Sequence, residues 1–288
     1  MYCVYGDESH DEKAQRVFAV AGLLGRKEEW DAVSDLWVAR TGGKSFHAAE
    51  CETDSGEYEG ITHEENQRLY KDLTRLIVES RLLGHGVALD LSAYRRVFPA
   101  DFPEAPYFWG FGDVVRGLTE ACYVSIPRES VEFTFDRNQE IQYNAGALYD
   151  HLRRLPDWSP RLCMADKISF ATRETVGVQM ADLFARETMK HMDNQIGPKQ
   201  RATRLSLKAL MRTKRFRCEF YRQTAFEDMK KRTAAMSIPG STLAEYRRWI
   251  DGLSLEDCTS NRIRYLMAIY GSLKAASGPT GKQGDAGS

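Results

Sequence analysis

The sequence predicts an α/β protein whose central sheet is at least partly parallel. Short apolar or alternating segments, typical of strands, recur between longer segments with the 3.6-residue period of amphipathic helices. Their predicted order is β-β-α-α-β-α-β-α-β-α, and strands separated by helices usually return to one sheet in parallel. The chain has 288 residues, of which 42% are hydrophobic, so it can bury a core without disulfides.

The first two predicted strands form a β-hairpin. The apolar and aromatic run Met1–Tyr5 stops at the acidic sequence Gly-Asp-Glu-Ser, and a second apolar run, Val17–Leu24, ends before Gly25. A helix is predicted over Glu28–Arg40, because its tryptophan, valine and leucine residues recur at helical spacing. The residues Thr41-Gly42-Gly43 end that helix.

The remaining elements of the predicted α/β domain alternate. Thr62 and Glu65 form a capping box, which predicts the start of a helix. Further helices are predicted over Glu64–Ser80, Tyr107–Tyr123, Ile141–Leu155 and Thr175–Met192, and further strands over Leu83–Leu91, Val131–Asp136 and Arg161–Ile168. The strand Val131–Asp136 alternates cleanly, with Val131, Phe133 and Phe135 on one face.

Composition divides the chain into three parts. Residues 1–195 form the predicted α/β domain, and Gly197-Pro198 marks a boundary. Residues 196–275 are predicted to be a basic helical extension, and residues 276–288 a flexible tail. The net charge of −1 conceals a split, because residues 1–66 carry 15 acidic and 6 basic side chains. Residues 186–232 carry 14 basic and 5 acidic side chains, which favours a polyanionic or acidic partner.

The sequence lacks the features of a membrane or secreted protein. It contains no run of about 18 apolar residues, so no membrane span is expected. The N-terminus MYCVYGDESH has neither the basic nor the apolar region of a signal peptide. Six scattered cysteines without a CxxC pair indicate reduced thiols, and we expect a cytoplasmic location.

Four acidic residues occupy positions that suit a metal site: Asp7, Glu50, Asp136 and Asp182. Asp7 and Asp136 end predicted strands, and α/β proteins bind ligands at the carboxyl ends of their strands. Carboxylates that converge repel one another unless a cation lies between them. Their hard oxygen atoms favour two Mg²⁺ or Mn²⁺ ions, which can act together on a phosphodiester.

The predicted helix Thr175–Met192 supports this placement. Gln179, Asp182 and Arg186 lie on one face of the helix, whereas Met180, Leu183 and Phe184 lie largely on another. The alternative for Asp182 is an exposed helix charge that pairs with Arg186 four residues later.

Four motifs together resemble the family named domain of unknown function 3800. They are the DES turn after the first strand, the later FHAAE, the strand-end FTFD and the helix motif VQMADLFA, and they span roughly residues 1–193. The resemblance implies an RNase H-like fold and a metal-dependent nuclease, often encoded among bacterial and phage-defence genes. It also implies that Asp7, Glu50, Asp136 and Asp182 form the acidic site, with Glu8, His47 and Gln179 beside it.

The sequence departs from the family pattern at two positions. His10 follows DES where the family has glycine, and it would be strained if the turn required a positive φ. Glu50 precedes the third predicted strand, whereas the usual second carboxylate of this fold lies in the helix after that strand. Asp90, at the end of LGHGVALD, is therefore the alternative to Glu50.

Basic residues outside the acidic cluster are candidates for binding nucleic-acid phosphates. They are Lys44, Arg201, Arg204, Lys208, Arg212, Lys214, Arg215 and Arg217, together with Arg186 beside the acidic site. The alternative is that the basic C-terminal segment packs on the acidic N-terminal surface, within one chain or across a homodimer.

The sequence therefore favours a metal-dependent nuclease acting on RNA or DNA. Two readings from other classes stay open: a catalytically inactive nucleic-acid-binding or assembly module on the same fold, and an interaction protein that docks a partner protein or a second copy.

Overall fold

The computed structural model describes residues 1–11, 13, 15–99, 105–125, 129–139, 142–155 and 158–234. They form an α/β fold around one mixed sheet with the strand order β5-β4-β1-β2-β3-β6. The strands are β1 (Tyr2–His10), β2 (Val17–Arg26), β3 (Leu83–Asp90), β4 (Val131–Asp136), β5 (Ser169–Ala171) and β6 (Phe216–Tyr221).

The sheet combines an antiparallel centre with parallel flanks. β1 and β2 form the predicted hairpin, and β3 pairs antiparallel with β2. β4 lies parallel to β1, with Tyr5 opposite Thr134 and Gly6 opposite Phe135. β5 is parallel to β4, and β6 is parallel to β3. The carboxyl ends of β1, β4 and β5 therefore lie at the same edge of the sheet.

Helices cover both faces of the sheet. They are α1 (Lys27–Thr41), α2 (Ala48–Thr53), α3 (His63–Glu79), α4 (Leu91–Val97), α5 (Ala105–Ser125), α6 (Gln142–Arg154), α7 (Val176–Ile196), α8 (Leu205–Arg212) and α9 (Gln223–Ala234). The predicted capping box is confirmed, because Thr62 and Glu65 exchange hydrogen bonds at the start of α3. Among these described helices, none combines the length and the hydrophobicity that a bilayer crossing requires.

Successive side chains of β1 point to opposite faces of the sheet, and a separate layer of the core covers each face. Val4 packs with α5 and α6, in a layer that contains Phe111, Phe133 and Tyr149. Tyr5 packs on the opposite face, against the layer formed by α1, α3, α7 and α8. Successive side chains of a strand point to opposite faces, so Asp7, two residues after Tyr5, lies on the α7 side of the sheet.

The predicted strand Arg161–Ile168 is wrong. Residues Ser159–Cys163 form a 3₁₀ helix with Pro160 in its first turn, where proline's missing amide hydrogen costs nothing. The strand of this region is β5, which is only three residues long. The apolar signal came from Cys163 and Met164, which are buried, and Met164 contributes one isolated bridge to Val131.

The sequence predicted a helical segment after residue 198, but this segment is not helical throughout. Residues Phe216–Tyr221 form the edge strand β6, and Phe216 packs against Phe184 of α7, with 5.3 Å between the ring centroids. The sequence FRCEFY has the period of a strand, but the surrounding arginines and lysines concealed it. The predicted extension therefore adds a strand to the sheet, and residues 235–288, which include the predicted tail, lie outside the described residues.

His10 is not strained in the way that the missing glycine suggested. It lies in β1 opposite Phe18, in extended backbone. Among the described residues, the non-glycine positions with a positive φ are Asp54 and Lys214. A side chain is therefore tolerated at residue 10 without backbone strain.

Candidate functional site

The first two aspartates of the site lie side by side because β1 and β4 are parallel neighbours. The last paired residues of the two strands are Gly6 and Phe135, so Asp7 and Asp136 follow at equivalent positions. Paired residues of adjacent strands point to the same face, and adjacent strands lie about 4.8 Å apart. Both carboxyl groups therefore emerge at one edge of the sheet, on the side covered by α7.

Helix α7 brings the third aspartate to the same place. The helix approaches β1 closely at Gly177, where a Cβ atom would lie 2.3 Å from the Tyr5 ring. Asp182 is only 5% exposed, and its Oδ2 accepts a hydrogen bond of 2.7 Å from the Ala48 amide. The N-terminus of α2 is thus fixed against the acidic residue of α7.

These side chains line one cleft of about 280 Å³. Asp7, Asp136 and Asp182 supply carboxyl groups on the α7 side, Glu8 also lines the cleft, and its other polar walls include His47, Gln179, Arg173 and Arg186. Residues that are 175 positions apart in the sequence therefore face a common space. The helix face predicted from Gln179, Asp182 and Arg186 is the face that the cleft exposes.

Burial and mutual repulsion make the ionisation of this cluster unfavourable. Burial raises the pKa of Asp7 well above its usual value, and the nearby Asp182, Glu8 and Asp136 raise it further. Burial also raises the pKa values of Asp136 and Asp182, which His47 partly opposes. The cluster therefore favours whatever neutralises it, either protons or a cation.

Glu8 has an unsatisfied carboxyl oxygen. Its Oε1 accepts a hydrogen bond of 3.2 Å from the Asn138 amide, whereas its Oε2 is buried and has no hydrogen-bond partner among the described residues. Burial raises the pKa of Glu8 from 4.5 to about 7. A buried acceptor without a partner is costly, so this oxygen is suited to a proton or a cation.

We expect Glu8→Gln to stabilise the protein at alkaline pH in the absence of divalent ions. The folded state holds the Glu8 proton more tightly than the unfolded state, so Glu8 contributes stability that is fully present below pH 4.5 and is lost as the pH rises through about 7. At pH 8 the variant should be more stable by about 3 kcal/mol, and at pH 4.5 the two proteins should be nearly equal. Denaturant unfolding in EDTA across this range measures the difference, and a constant difference would contradict the assignment.

The two candidates for the second carboxylate do not line the cleft. Glu50 lies on α2, where Ala49 rather than Glu50 lines the cleft, and its Oε1 lies 3.4 Å from Arg173 Nη1. Asp90 caps α4 and accepts a hydrogen bond of 2.9 Å from the Ala93 amide. Glu50 nevertheless lies at the rim of the cleft, because its Oε1 is also 3.7 Å from Nδ1 of His47, and both His47 and Arg173 line the cleft.

The supporting residues fix the loops around the cleft. His47 caps α2 through its Nδ1, and its side chain remains 40% exposed at the cleft. Gln179 is buried, accepts a hydrogen bond of 2.9 Å from the Trp37 indole and donates one of 2.9 Å to the Arg173 carbonyl. Gln179 therefore holds α1 and the segment before α7 in place.

Arg186 contacts Glu52, a residue that no sequence motif indicated as part of a site. Its Nε donates a hydrogen bond of 2.8 Å to Glu52 Oε2. Burial opposes the ionisation of Glu52, but Arg186, Arg204 and Lys190 together hold its pKa below the usual value. The sequence AAECET gave no signal that separated Glu50 from Glu52, because the difference depends on how α2 is rotated.

The candidate phosphate-binding residues fall into two groups. Most are exposed: Lys44, Arg201, Lys208, Arg212, Lys214 and Arg217. Arg204 instead bonds to Glu52 and Glu187, and Arg215 donates to the carbonyls of Val78 and Ser80 at the end of α3. These two guanidinium groups therefore stabilise the fold.

No three His, Cys, Asp or Glu side chains in the described part of the chain stand in an arrangement ready to hold a metal ion. The donor chemistry of the cleft nevertheless fits Mg²⁺ or Mn²⁺, since carboxyl oxygens are the ligands that these ions prefer. The buried, unpartnered Oε2 of Glu8 points to the same class of ligand. Comparison with models of protein families gives no match, and a search of curated proteins finds no similar sequence.

Proposed function

We propose that this protein is a divalent-metal-dependent nuclease that hydrolyses phosphodiester bonds of RNA or DNA. The observation that carries the proposal is the cluster of the buried Asp182 with the partly buried Asp7 and Asp136, together with the unpartnered oxygen of Glu8. Buried carboxylates of like charge raise the free energy of the folded state unless they serve a cation. Clusters of this kind are typical of functional sites.

The sheet topology supports an RNase H-like fold. An antiparallel β1-β2-β3 meander, with β4 and β5 parallel to β1 on its free side, is the arrangement expected of such a sheet. The helix motif that carries the resemblance places its aspartate, Asp182, against the strand that carries Asp7. The geometry and the motifs therefore favour the same family.

Asp7, Glu8, Asp136 and Asp182 are the residues that would hold two Mg²⁺ or Mn²⁺ ions. When bound, such ions supply an activated water and stabilise the charge of the reacting phosphate. The described carboxyl groups share a cleft but are not arranged as a preformed metal site. Repulsion between like charges accounts for this arrangement, because carboxylates move apart when no cation is present.

The remaining cleft residues would bind the substrate and move protons. Arg173 lines the cleft and is half exposed, so its guanidinium group can hold a phosphate oxygen. His47 lies close enough to Asp136 and Asp182 to influence both, and it reaches solvent. An imidazole in that position can release a proton to water or give one to the leaving oxygen.

The test is cleavage of RNA, single-stranded DNA and duplex DNA by the purified protein in Mg²⁺, Mn²⁺ or EDTA. We expect cleavage in Mg²⁺ or Mn²⁺ that stops in EDTA and returns when the ion is restored, with 5′-phosphate and 3′-hydroxyl products. The proposal would be overturned by a protein that cleaves none of the three polymers, or that cleaves equally well in EDTA.

The exposed basic residues outside the cleft favour one second candidate. It is a nucleic-acid-binding or assembly module that keeps the fold without catalysis. This candidate predicts that the protein binds nucleic acid in a salt-sensitive way and does not cleave it with any divalent ion. If the basic segment instead docks a second copy of the chain, size-exclusion chromatography at low and high salt would reveal a homodimer held by charge.

A further inference from the structure

A second cavity of about 590 Å³ lies beside the C-terminal half of α7. Its volume is in the range of ligand-binding cavities. The basic residues of its wall are Arg16, Lys190, Lys199, Arg201 and Arg204, and the acidic ones are Glu52 and Asp193. The cavity therefore has an excess of positive charge, opposite to the acidic cleft.

Some of these cations are already neutralised by structural partners. Arg16 bonds to Asp193 at 2.9 Å, and Arg204 bonds to Glu52 at 3.0 Å. In the described residues, neither Lys199 nor Arg201 takes part in an ion pair, and both are exposed. Two positive groups thus remain available to an anion at the rim of the cavity.

Lys190 adds a third positive group, deeper in the cavity. Its side chain is 25% exposed, and its Nζ lies 3.9 Å from Glu52 Oε1, a carboxylate that also serves Arg186 and Arg204. Arg204 has a second carboxylate partner in Glu187, whereas Lys190 has only the longer contact with Glu52 among the ion pairs of the described residues. A bound anion would reduce the positive charge at Lys190.

The basic cavity and the acidic cleft are joined through α7. Arg186 lines the cleft, Glu52 lines the cavity, and the two side chains are 2.8 Å apart. Lys190 follows Asp182 by eight residues, which is about 12 Å along a helix axis. One strand of a duplex advances about 3.4 Å per nucleotide, so 12 Å corresponds to roughly three to four nucleotides, and to fewer in an extended strand.

We propose that the basic cavity binds the sugar-phosphate backbone of the nucleic acid a few nucleotides away from the cleaved bond, so that the strand runs along α7. This inference rests on the proposed nuclease function and specifies which surface binds the substrate. The exposed basic residues Lys71 and Arg75 of α3 do not line the cavity and are assigned no part in binding.

The test compares two double variants that remove the same charge. Lys199→Gln/Arg201→Gln alters the cavity, and Lys71→Gln/Arg75→Gln alters α3; all four side chains are exposed, so both variants should melt as the wild type does. Binding of fluorescent 20-nucleotide RNA and DNA is measured in EDTA, where cleavage does not interfere. We expect the cavity variant to raise Kd about tenfold and to lower the slope of log K against log salt by about two, with less than a twofold change in Kd for the α3 variant.

The same proteins are then assayed for cleavage in Mg²⁺ and Mn²⁺, which separates the two hypotheses. If the wild type binds and cleaves and the two double variants bind equally well, the role of the cavity is overturned. The proposed nuclease function is not affected by that result. A wild type that neither binds nor cleaves would remove the nuclease function and this inference with it. A cavity effect on only one polymer would support the inference and identify that polymer as the substrate.

Discussion

Asp7→Asn should reduce metal-dependent cleavage by about 10³-fold or more, the largest effect expected of any single substitution in the cleft. Asp7 lies at the centre of the acidic cluster, since Asp182, Glu8 and Asp136 all act on its carboxyl group. Asparagine keeps the shape of the side chain but removes the charge that a divalent ion requires. The measurement is the rate constant of cleavage under single-turnover conditions with saturating Mg²⁺ or Mn²⁺.

Asp90→Asn is the matched control for this substitution. Asp90 ends β3 at the same edge of the sheet but caps α4, and asparagine caps helices about as well as aspartate. Cleavage by this variant should stay within about twofold of wild type. The assignment of the cleft fails if Asp7→Asn cleaves like wild type, or if Asp90→Asn is equally damaging.

Thermal unfolding separates a lost metal site from a lost fold. The Asp7→Asn variant should be at least as stable as wild type in EDTA, because a buried negative charge has been removed. Mg²⁺ should raise the melting temperature of wild type and not that of the variant, since a ligand stabilises only the folded state that binds it.

The largest effect on stability is expected from Glu187→Ala. Glu187 is fully buried; its carboxylate accepts a hydrogen bond of 2.8 Å from the Tyr70 hydroxyl and lies 3.2 Å from Arg204 Nε. It also accepts a short hydrogen bond from the Ser206 hydroxyl, so it joins α7 to α3 and α8. Its removal leaves these buried polar groups without a partner, and the expected loss is about 3–5 kcal/mol of the free energy of unfolding.

Urea unfolding at neutral pH measures this loss, with Glu79→Ala as the control. The Glu79 side chain is 64% exposed and forms an ion pair of 3.4 Å with Arg75 at the end of α3. Exposed pairs of this kind contribute little, so the control should change stability by no more than about 0.5 kcal/mol. Equal losses in the two variants would show that the buried network does not hold the three helices together.

Local patterns in the sequence predicted most of the described elements. The alternating VEFTFD became β4 with the predicted bounds, because one face of that strand is buried. The capping box at Thr62 and Glu65 set the start of α3, since those two residues satisfy each other's amide groups. In such places, the interactions that decide the structure lie within a few residues of one another.

Two misassigned segments depend on contacts from distant parts of the chain. Phe216–Tyr221 is a strand because the edge of β3 is free to pair with it and because Phe184 provides a surface for Phe216. The segment at Ser159–Cys163 has apolar residues without strand pairing, since its buried Cys163 packs in the core and its Leu162 is exposed. Short apolar segments have no preference strong enough to decide between these states.

The same division holds for the site. The sequence by itself determined that Asp136 ends a strand and that Asp182 lies on a helix face with Gln179, because these features follow from local side-chain patterns. The first strand was predicted to stop before Asp7, but β1 continues to His10 because its pairing with β2 extends that far. Only the tertiary structure decided which acids share the cleft. Whether Glu8, Glu50 or Glu52 faces it depends on the edge of the sheet and on the rotation of α2, which are fixed by packing between segments that are remote in sequence.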